Sequence, residues 1–282
     1  MTDASDIDSL PPLRDVIREH DLRAEKSLGQ NFLLDLNLTK KIARGAGKLD
    51  DCTVFEIGPG PGGLTRAILS SGVKKLIAIE YDPRAIAALQ SLKEASACRL
   101  EIIQADALHA SLPDLAKQFG CKPPYVVIAN LPYNIATPLL TGWLEEIHGN
   151  PSLYRELILM FQKEVAQRIV ASPSSKAYGR ISILSQWLCK TKILFDVPGA
   201  AFTPPPKVTS SIVRLVPHGE TRGDFKTMEK LTAAAFGQRR KMIRSSLKDY
   251  MDEVRACGLK EEARAEELSP ADYARLVELI KP

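Results

Sequence analysis

The segment Asn130-Leu131-Pro132-Tyr133 sets an amide, a stiff turn and an aromatic ring at the end of the apolar run 125–129. The run is short and rich in β-branched residues, which predicts a buried strand. The exocyclic amine of an aromatic base is a poor nucleophile, because its lone pair is delocalised into the ring. The Asn130 side-chain oxygen and the Leu131 carbonyl can accept hydrogen bonds from such an amine, and Tyr133 can stack on the base. Pro132 has no N–H and fixes the turn. The segment therefore predicts either a site that activates a base amine or a plain turn that closes a strand.

A glycine-rich loop follows the strand predicted over residues 53–57. Gly58, Gly60 and Gly63 fit the G-x-G-x-x-G pattern of dinucleotide sites. Glu56 with Gly58, Gly60 and Gly62 also fits E-x-G-x-G, which is typical of S-adenosylmethionine sites. Tight packing of a helix on a strand is a third explanation. The acid at position 56 favours S-adenosylmethionine, because a carboxylate can bind the ammonium of a methionine moiety.

Two further acids follow predicted strands. Glu80 ends the run 75–80, where a carboxylate can accept both ribose hydroxyls of either cofactor. Asp106 follows the run 100–104 and can accept from the amine of a cofactor adenine, or act as a helix N-cap or Asx-turn. A sulfonium methyl donor beside a site for a base amine makes a coherent methyl-transfer site, whereas a nicotinamide has no obvious work there.

A block of polar and apolar residues, 26–33, precedes a helix predicted over residues 35–46. It can fold over the cofactor. It can equally be an ordinary lead-in to a helix capped by Asp35 or Asn37.

The elements that must position these residues form an alternating pattern. Strands predicted over 53–57, 75–80, 100–104, 125–130 and 157–161 alternate with amphipathic segments. This pattern predicts an α/β fold, a parallel sheet with helices on both faces. Together with the methyl-transfer site described above, it indicates a Rossmann-like methyltransferase sheet. Two later runs, 191–197 and 210–216, flank a proline-rich segment and predict an antiparallel pair.

Beyond His218 the periodicity becomes helical. We therefore expect a catalytic domain over residues 1–218 and a small all-helical RNA-recognition domain over residues 219–282. The segment 172–179, rich in serine and glycine, is predicted to be a mobile surface loop.

Composition narrows the class of protein. The chain has 282 residues, of which 45% are hydrophobic, so it can bury a large core. It has no apolar run of membrane-spanning length and begins with acidic residues, so we expect a cytoplasmic protein without membrane attachment. Its five cysteines are scattered and form no C-x-x-C, which argues against a disulfide framework and against a metal site.

The net charge of +4 is unevenly distributed. Residues 202–248 contain ten Lys/Arg against three Asp/Glu, whereas residues 249–282 contain five against nine. A helix predicted through residues 236–248 would carry Arg240, Arg244 and Lys248 on one face. This is either a solvated basic face or an RNA-binding face, and the rest of the chain favours RNA. The segment around Phe202 and Lys207 either borders the base pocket or is a proline-rich linker. The predicted RNA contacts are Phe202, Lys207, Arg239, Arg240, Lys241, Arg244 and Lys248.

Over residues 23 to 250 the chain resembles the ribosomal RNA adenine N6,N6-dimethyltransferase family. Within it, the chain is most similar to the bacterial small-subunit (16S) branch, which is linked to kasugamycin sensitivity. The stretch before Arg23 and the paired Gly62-Gly63 depart from the family pattern. The resemblance rests on Lys26-x-Leu28-Gly29-Gln30-Asn31-Phe32, Glu56-Ile57-Gly58-Pro59-Gly60-x-Gly62-x-Leu64-Thr65, Glu80, Asp106, Asn130-Leu131-Pro132-Tyr133, Phe202-x-Pro204-x-Pro206-Lys207-Val208 and Phe236-Gly237-Gln238-Arg239-Arg240-Lys241.

The resemblance implies dimethylation at N6 of two adjacent adenosines in the 3′-terminal hairpin of 16S rRNA, within a ribosomal particle. It implies S-adenosylmethionine as methyl donor, no metal, the small ribosomal subunit as partner, and a monomer. The expected catalytic residues are Asn130, Leu131, Pro132 and Tyr133. The expected cofactor contacts are Asn31, Leu33, Glu56, Gly58, Gly60, Glu80, Asp106 and Asn130.

Three alternatives remain open at the level of sequence. The erythromycin-resistance methyltransferases of large-subunit rRNA share nearly all of these motifs. A non-catalytic ribosome-assembly factor can retain a methyltransferase scaffold, although intact Glu56, Glu80 and Asn130 argue against lost catalysis. An NAD-dependent dehydrogenase is a more distant possibility.

Overall fold

The structure, a computed structural model, describes residue 7 and residues 9–22 and 31–280. The part of the predicted block that covers residues 26–30 lies outside these ranges. Nine strands are assigned within them, and seven form one sheet. The strands are β1 (Phe32–Leu33), β2 (Thr53–Ile57), β3 (Lys75–Glu80), β4 (Leu100–Gln104), β5 (Tyr125–Asn130), β6 (Tyr154–Gln162), β7 (Cys189–Val197), β8 (Phe202–Thr203) and β9 (Ser210–Pro217).

The large sheet has the strand order β4-β3-β2-β5-β6-β9-β7. Strands β2 to β6 are parallel, and β9 runs antiparallel to both β6 and β7. The antiparallel pair predicted at the end of the sheet is therefore confirmed, with β9 inside and β7 at the edge. The separate pair β1 and β8 aligns Phe32 with Thr203 and Leu33 with Phe202.

Helices connect the strands and cover the sheet. Asp35, one of the two residues predicted to cap the helix that follows it, accepts from the backbone N–H groups of Asn37 and Leu38. The helices are α1 (Leu13–Glu19), α2 (Leu36–Arg44), α3 (Gly63–Ser70), α4 (Pro83–Ala88), α5 (Gln90–Ala95), α6 (Leu112–Gln118), α7 (Tyr133–Gly149), α8 (Lys163–Ile169), α9 (Arg180–Leu188), α10 (Phe225–Gly237), α11 (Ile243–Ser246), α12 (Met251–Ala256) and α13 (Pro270–Leu279).

The sheet separates two apolar layers, because alternate residues of a strand point to opposite faces. Val126 and Ile128 of β5 pack in the layer that contains α2 and α3. Val127 and Ala129 pack in the opposite layer, with α7. That second layer continues without a break into the C-terminal helices, as far as Tyr273. Both faces of the central strands are thus buried, as parallel sheets require.

The predicted strands 53–57, 75–80, 100–104 and 125–130 match the observed bounds, and β6 begins earlier than predicted, at Tyr154. The segment 172–179 is a loop, but tertiary contacts hold it. Tyr178 is fully buried and its hydroxyl donates to the Leu268 carbonyl at 3.0 Å. The Ser174 N–H donates to the Glu266 carbonyl at 2.7 Å. The loop is therefore fastened to the C-terminal part of the chain.

The single basic helix predicted through residues 236–248 is wrong. Helix α10 ends at Gly237, Gln238 leaves helical geometry at φ −129° and ψ 56°, and α11 begins only at Ile243. Beyond the break, Arg239 Nε donates to Glu266 Oε2 at 2.6 Å. The same guanidinium donates to the Lys176 carbonyl at 2.8 Å. The basic residues that follow therefore lie on separate short elements.

Candidate active site

A cavity of about 250 Å³ opens at the carboxyl ends of β2, β3 and β5. Strand order reverses between β2 and β5, and parallel sheets bind ligands at such switch points. The cavity therefore occupies the position where this fold binds cofactors. Its lining includes Asn31, Phe32, Leu33, Glu56, Gly58, Gly60, Glu80, Tyr81, Asp106, Leu108, Asn130, Leu131, Pro132 and Tyr133.

The loop between β2 and α3 brings its backbone to the cavity. Gly60 has φ +54°, which L side chains rarely adopt, and a Cβ there would lie 3.0 Å from the Phe32 ring. Gly63 has an ordinary φ, but a Cβ there would lie 2.4 Å from the Leu33 carbonyl oxygen. Because Gly60 and Gly63 lack a Cβ, the segment 31–33 can lie directly on the loop.

Glu80 fixes the loop against the end of β3. Its Oε2 accepts from the Gly60 N–H at 3.1 Å. Its Oε1 accepts from the N–H groups of Tyr81 at 2.8 Å and Asp82 at 2.9 Å. Burial raises the pKa of the Glu80 carboxyl, although these three donors oppose that shift. The result is a carboxylate of fixed orientation at the cavity wall.

Glu56 is 1% exposed and lines the same cavity. Within the residues that the structure describes, its Oε2 has no hydrogen-bond partner. Burial raises the pKa of the Glu56 carboxyl from 4.5 to about 8. A buried carboxyl oxygen without a donor is the group that a bound ammonium would satisfy, so the residue fits the methionine moiety of S-adenosylmethionine.

Asn130 ends β5 at the opposite wall of the cavity. Its Nδ2 donates to the carbonyl of Asn31 at 3.1 Å. This bond sets the orientation of the amide, so that Oδ1 is left as an acceptor. Leu131 follows at 2% exposure, and Pro132 precedes the first residue of α7. Two oxygens, one from a side chain and one from the backbone, therefore lie next to each other in sequence at the cavity wall.

Tyr133 begins α7 and is partly buried beside Asn130. Its hydroxyl lies 2.7 Å from the hydroxyl of Ser210, the fully buried first residue of β9. Burial raises the pKa of the Tyr133 hydroxyl, so the phenol remains neutral. The ring is held at both ends, by its backbone in α7 and by its hydroxyl at β9.

Asp106 forms the predicted Asx-turn. Its Oδ1 accepts from the Leu108 N–H at 2.9 Å, which is an Asx-turn, and its Oδ2 lies 3.2 Å from His109 Nδ1. Asp106 also lines the cavity and is only partly buried. The turn orients the carboxylate without removing it from the site.

The predicted RNA contacts do not line the cavity. Phe202 is 3% exposed and packs in the apolar layer with Leu33, so it is part of the core. Lys207 is exposed between β8 and β9. Arg239 is held by Glu266, as described above. The remaining basic residues, Arg240, Lys241, Arg244 and Lys248, are exposed.

Sequence reasoning missed several cavity residues. Tyr81 is 65% exposed and Leu108 is 44% exposed, although both are large and apolar and both line the cavity. Their positions in the sequence could have indicated this, because Tyr81 directly follows Glu80 and Leu108 lies two residues after Asp106. Ser210 carried no signal, because its contact with Tyr133 spans 77 positions of the chain.

Among the described residues, no group of three or more His, Cys, Asp or Glu side chains is arranged to hold a metal ion. No helix in the described ranges has the length and apolar character needed to cross a bilayer.

Comparisons with known proteins give a consistent result. The family model described as "Ribosomal RNA adenine dimethylase" matches residues 21–282. The chain is 54% identical to "Ribosomal RNA small subunit methyltransferase A" of Rhodopseudomonas palustris (strain BisA53), over 96% of this chain and 95% of that protein. It is 52% identical to the protein of the same name from Mesorhizobium japonicum, over 97% and 99% of the two chains.

Among solved structures, a dimethyladenosine transferase from Plasmodium falciparum superposes with a TM-score of 0.69 and 26% identity. The superposition covers 85% of this chain and 94% of the other. The 23S rRNA methyltransferase ErmE superposes with a TM-score of 0.65 over 88% and 98% of the two chains. At 24% identity, the second comparison establishes the shared fold alone. The predicted Rossmann-like methyltransferase fold is thus confirmed.

Proposed function

The chain belongs to the ribosomal RNA adenine dimethylase family, and from this premise we propose its reaction and substrate. The protein is a methyltransferase that dimethylates N6 of two adjacent adenosines near the 3′ end of small-subunit (16S) rRNA, within a ribosomal particle. The relatives that are 52–54% identical over nearly the whole chain carry the small-subunit name. No comparable observation favours the large-subunit alternative, since the likeness to ErmE concerns the fold.

One observation supports the chemistry most directly. The hydrogen bond from Asn130 Nδ2 to the Asn31 carbonyl leaves Asn130 Oδ1 as an acceptor beside the Leu131 carbonyl, at the wall of the cofactor-sized cavity. A base amine that donates to both oxygens is held with its nitrogen toward the cavity. The two oxygens are oriented before the substrate arrives, so they stabilise the positive charge that develops on that nitrogen without reorganising.

Tyr133 receives the face of the adenine, because its ring stands directly after the two acceptors and is fixed through Ser210. Base–aromatic stacking contributes about 1–3 kcal/mol. It therefore offsets part of the cost of taking an adenine out of its stack, which is a few kcal/mol. Pro132 has no N–H that could compete for the acceptors.

The described residues also fit the methyl donor. Glu80 is positioned to accept the ribose hydroxyls, Glu56 to bind the ammonium, and Asp106 to accept from the adenine amine. Asn31, Leu33, Gly58 and Gly60 border the same space. When bound there, S-adenosylmethionine supplies an electrophilic methyl group on sulfur, and direct in-line displacement requires no covalent enzyme intermediate. None of the five cysteines lines the cavity.

We assign RNA recognition to residues 219–282 and to the exposed Lys207. Within that range the proposed contacts are the exposed Arg240, Lys241, Arg244 and Lys248. The uneven charge of the sequence supports this assignment, because phosphate contacts supply much of the affinity for RNA. We further propose that the enzyme acts as a monomer in the cytoplasm, where it meets the small ribosomal subunit.

Labelled methyl transfer tests the proposed function. Unmethylated small subunits, large subunits and DNA are offered in parallel, and the product nucleosides are separated. We expect N6,N6-dimethyladenosine from small subunits alone. Label on large subunits would indicate the erythromycin-resistance activity, and an absence of label on all three would indicate a non-catalytic assembly factor. The Asn130→Ala variant serves as the chemically impaired control.

A further inference from the structure

Arg66 is a buried cation for which the described protein provides no counterion. It lies in the middle of α3, and the residue is 8% exposed. Its Nε is fully buried and has no hydrogen-bond partner within the described residues. Burial lowers the pKa of Arg66, yet a guanidinium stays protonated in proteins. Among the described residues, no charged group therefore compensates the burial of this cation.

Arg66 lines a second cavity, also of about 250 Å³, on the outer side of α2 and α3. Lys40, from α2, lines the same cavity. No ion pair involving either cation is found among the described residues. Asp and Glu are absent from the described lining, whereas Thr39 and Ser70 contribute hydroxyl groups. Two cations from neighbouring helices thus share one space, and no acid lines it among the residues that the structure describes.

The hydroxyl groups differ in what they can offer a ligand. The Thr39 hydroxyl donates to the Leu36 carbonyl at 3.1 Å and is committed to its own helix. The Ser70 hydroxyl makes no hydrogen bond within the described part of the chain and can donate. The remaining walls are apolar and include Ile7, Leu10 and Leu36. The cavity therefore offers a planar guanidinium fork, an ammonium and one free hydroxyl in a partly dry setting.

We propose that this cavity binds a phosphate group through Arg66, Lys40 and Ser70. A guanidinium fork matches two oxygens of a phosphate, and charge-assisted hydrogen bonds are strong where water is excluded. A bound phosphate would supply the counterion that Arg66 lacks. The phosphate is either free or part of an RNA backbone. This site is separate from the cofactor cavity, because the two share no lining residue.

Thermal unfolding in phosphate and in chloride at equal ionic strength tests the site. A ligand that binds only the folded state raises the midpoint as its concentration increases. We expect phosphate to raise the unfolding midpoint of the wild-type protein above its value in chloride. Arg66→Met reduces the difference to the general effect of phosphate on folded proteins, and Lys40→Met weakens phosphate binding about tenfold, since one charged hydrogen bond is lost. The matched control is Arg44→Met, an exposed arginine on α2 outside the cavity.

Phosphate also stabilises folded proteins generally by exclusion from their surface, so the wild-type protein and the variants are compared with one another. Equal midpoints in phosphate and chloride would overturn the proposal, as would a phosphate effect in Arg66→Met as large as in the wild-type protein. If Arg66→Met does not fold, the midpoints of Arg66→Lys and Lys40→Met are compared in phosphate and in chloride instead. Both variants keep a positive charge at position 66, and both should show a smaller phosphate effect than the wild-type protein. An undiminished phosphate effect in both would overturn the proposal. Binding to small subunits then identifies the source of the phosphate. The slope of log K for binding to small subunits against log salt concentration is the quantity compared. A slope that is smaller by about 1 in Arg66→Met identifies an RNA phosphate, and an unchanged slope identifies a free phosphate. Methyl transfer is not the readout, so this test is independent of the proposed function.

Discussion

The hydroxyl groups of Tyr133 and Ser210 lie 2.7 Å apart and join the first residue of α7 to the first residue of β9. Ser210 is fully buried, so this contact is shielded from water. The ring that follows the two acceptor oxygens is consequently held by one helix and by one strand of the sheet.

Tyr133→Ala should reduce kcat/KM for RNA roughly tenfold to a hundredfold, because about 1–3 kcal/mol of stacking is lost. Tyr133→Phe and Ser210→Ala retain the ring and should each have a much smaller effect. Steady-state methyl transfer to small subunits measures all three variants. Equal losses in Tyr133→Phe and Tyr133→Ala would show that the hydroxyl, and not the ring, is what matters.

Asn130→Ala should slow the chemical step by about a hundred- to a thousandfold, the usual effect of removing one preorganised polar group from a transition state. Cofactor affinity should change little. Single-turnover methyl transfer, together with calorimetric titration of the cofactor, separates the two effects. Asn134→Ala is the matched control, because Asn134 is an exposed amide on the rim of the same cavity. A near-normal single-turnover rate for Asn130→Ala would contradict the assigned role.

Glu56 should make the ligand-free protein less stable as pH rises. Its pKa is about 8 when folded, against 4.5 as the ordinary value. Below pH 4.5 the carboxyl is protonated in both states and its contribution to stability is fully present. Between pH 4.5 and 8 only the unfolded chain loses the proton, so that contribution is lost, and above pH 8 the loss is complete.

Glu56→Gln should therefore flatten the decline of the free energy of unfolding between pH 4.5 and 8. Denaturant unfolding at several pH values measures this decline. Glu94→Gln, at an exposed position on α5, is the control. An identical pH profile for wild type and Glu56→Gln would contradict the raised pKa.

Gly63→Ala should lower the free energy of unfolding by about 1–3 kcal/mol, the usual cost of overpacking. The new Cβ would lie 2.4 Å from the Leu33 carbonyl, so the segment 31–33 must move away from the loop. Cofactor affinity should fall with it. Gly142→Ala, where a Cβ meets open space on α7, should instead stabilise by about 0.5–1 kcal/mol. Equal midpoints for the two variants in denaturant would contradict the steric argument.

Arg239 should behave differently from its basic neighbours. Arg239→Gln loses the bonds to Glu266 and to the Lys176 carbonyl, and should lower the free energy of unfolding by about 1 kcal/mol. Arg240→Gln and Lys241→Gln should leave stability unchanged. They should weaken RNA binding and reduce its salt slope by about 1 for each charge removed. An unchanged slope in both variants would contradict their assignment to RNA contact.

The sequence predicted most of the sheet because its parallel strands are short, mainly apolar runs separated by amphipathic segments. It also indicated the cofactor loop, since the acid and glycine spacing reflects backbone approach to a ligand. The basic helix was predicted wrongly because local periodicity contains no information about Glu266, which binds Arg239 from 27 positions away. The bond between Asn130 and Asn31 spans 99 positions and was equally invisible.

The burial of Tyr178 within a serine-rich segment illustrates the same limit. Its neighbours in sequence are those of a surface turn, whereas distant residues such as Phe236 of α10 and Leu268 contact it in the folded chain. Local composition thus predicts where a chain turns, whereas tertiary contact determines whether the turn is free.

The short ladder between β1 and β8 has one more consequence. Leu33 at the cofactor cavity pairs with Phe202, and the proline-rich segment continues directly from β8 toward β9 and the buried Ser210. A displacement of Leu33 that widened the cofactor entrance would therefore pull on the strand leading to the serine that anchors the Tyr133 ring. The pair of two-residue strands thus joins one wall of the cofactor cavity to the segment that leads to the anchor of the Tyr133 ring.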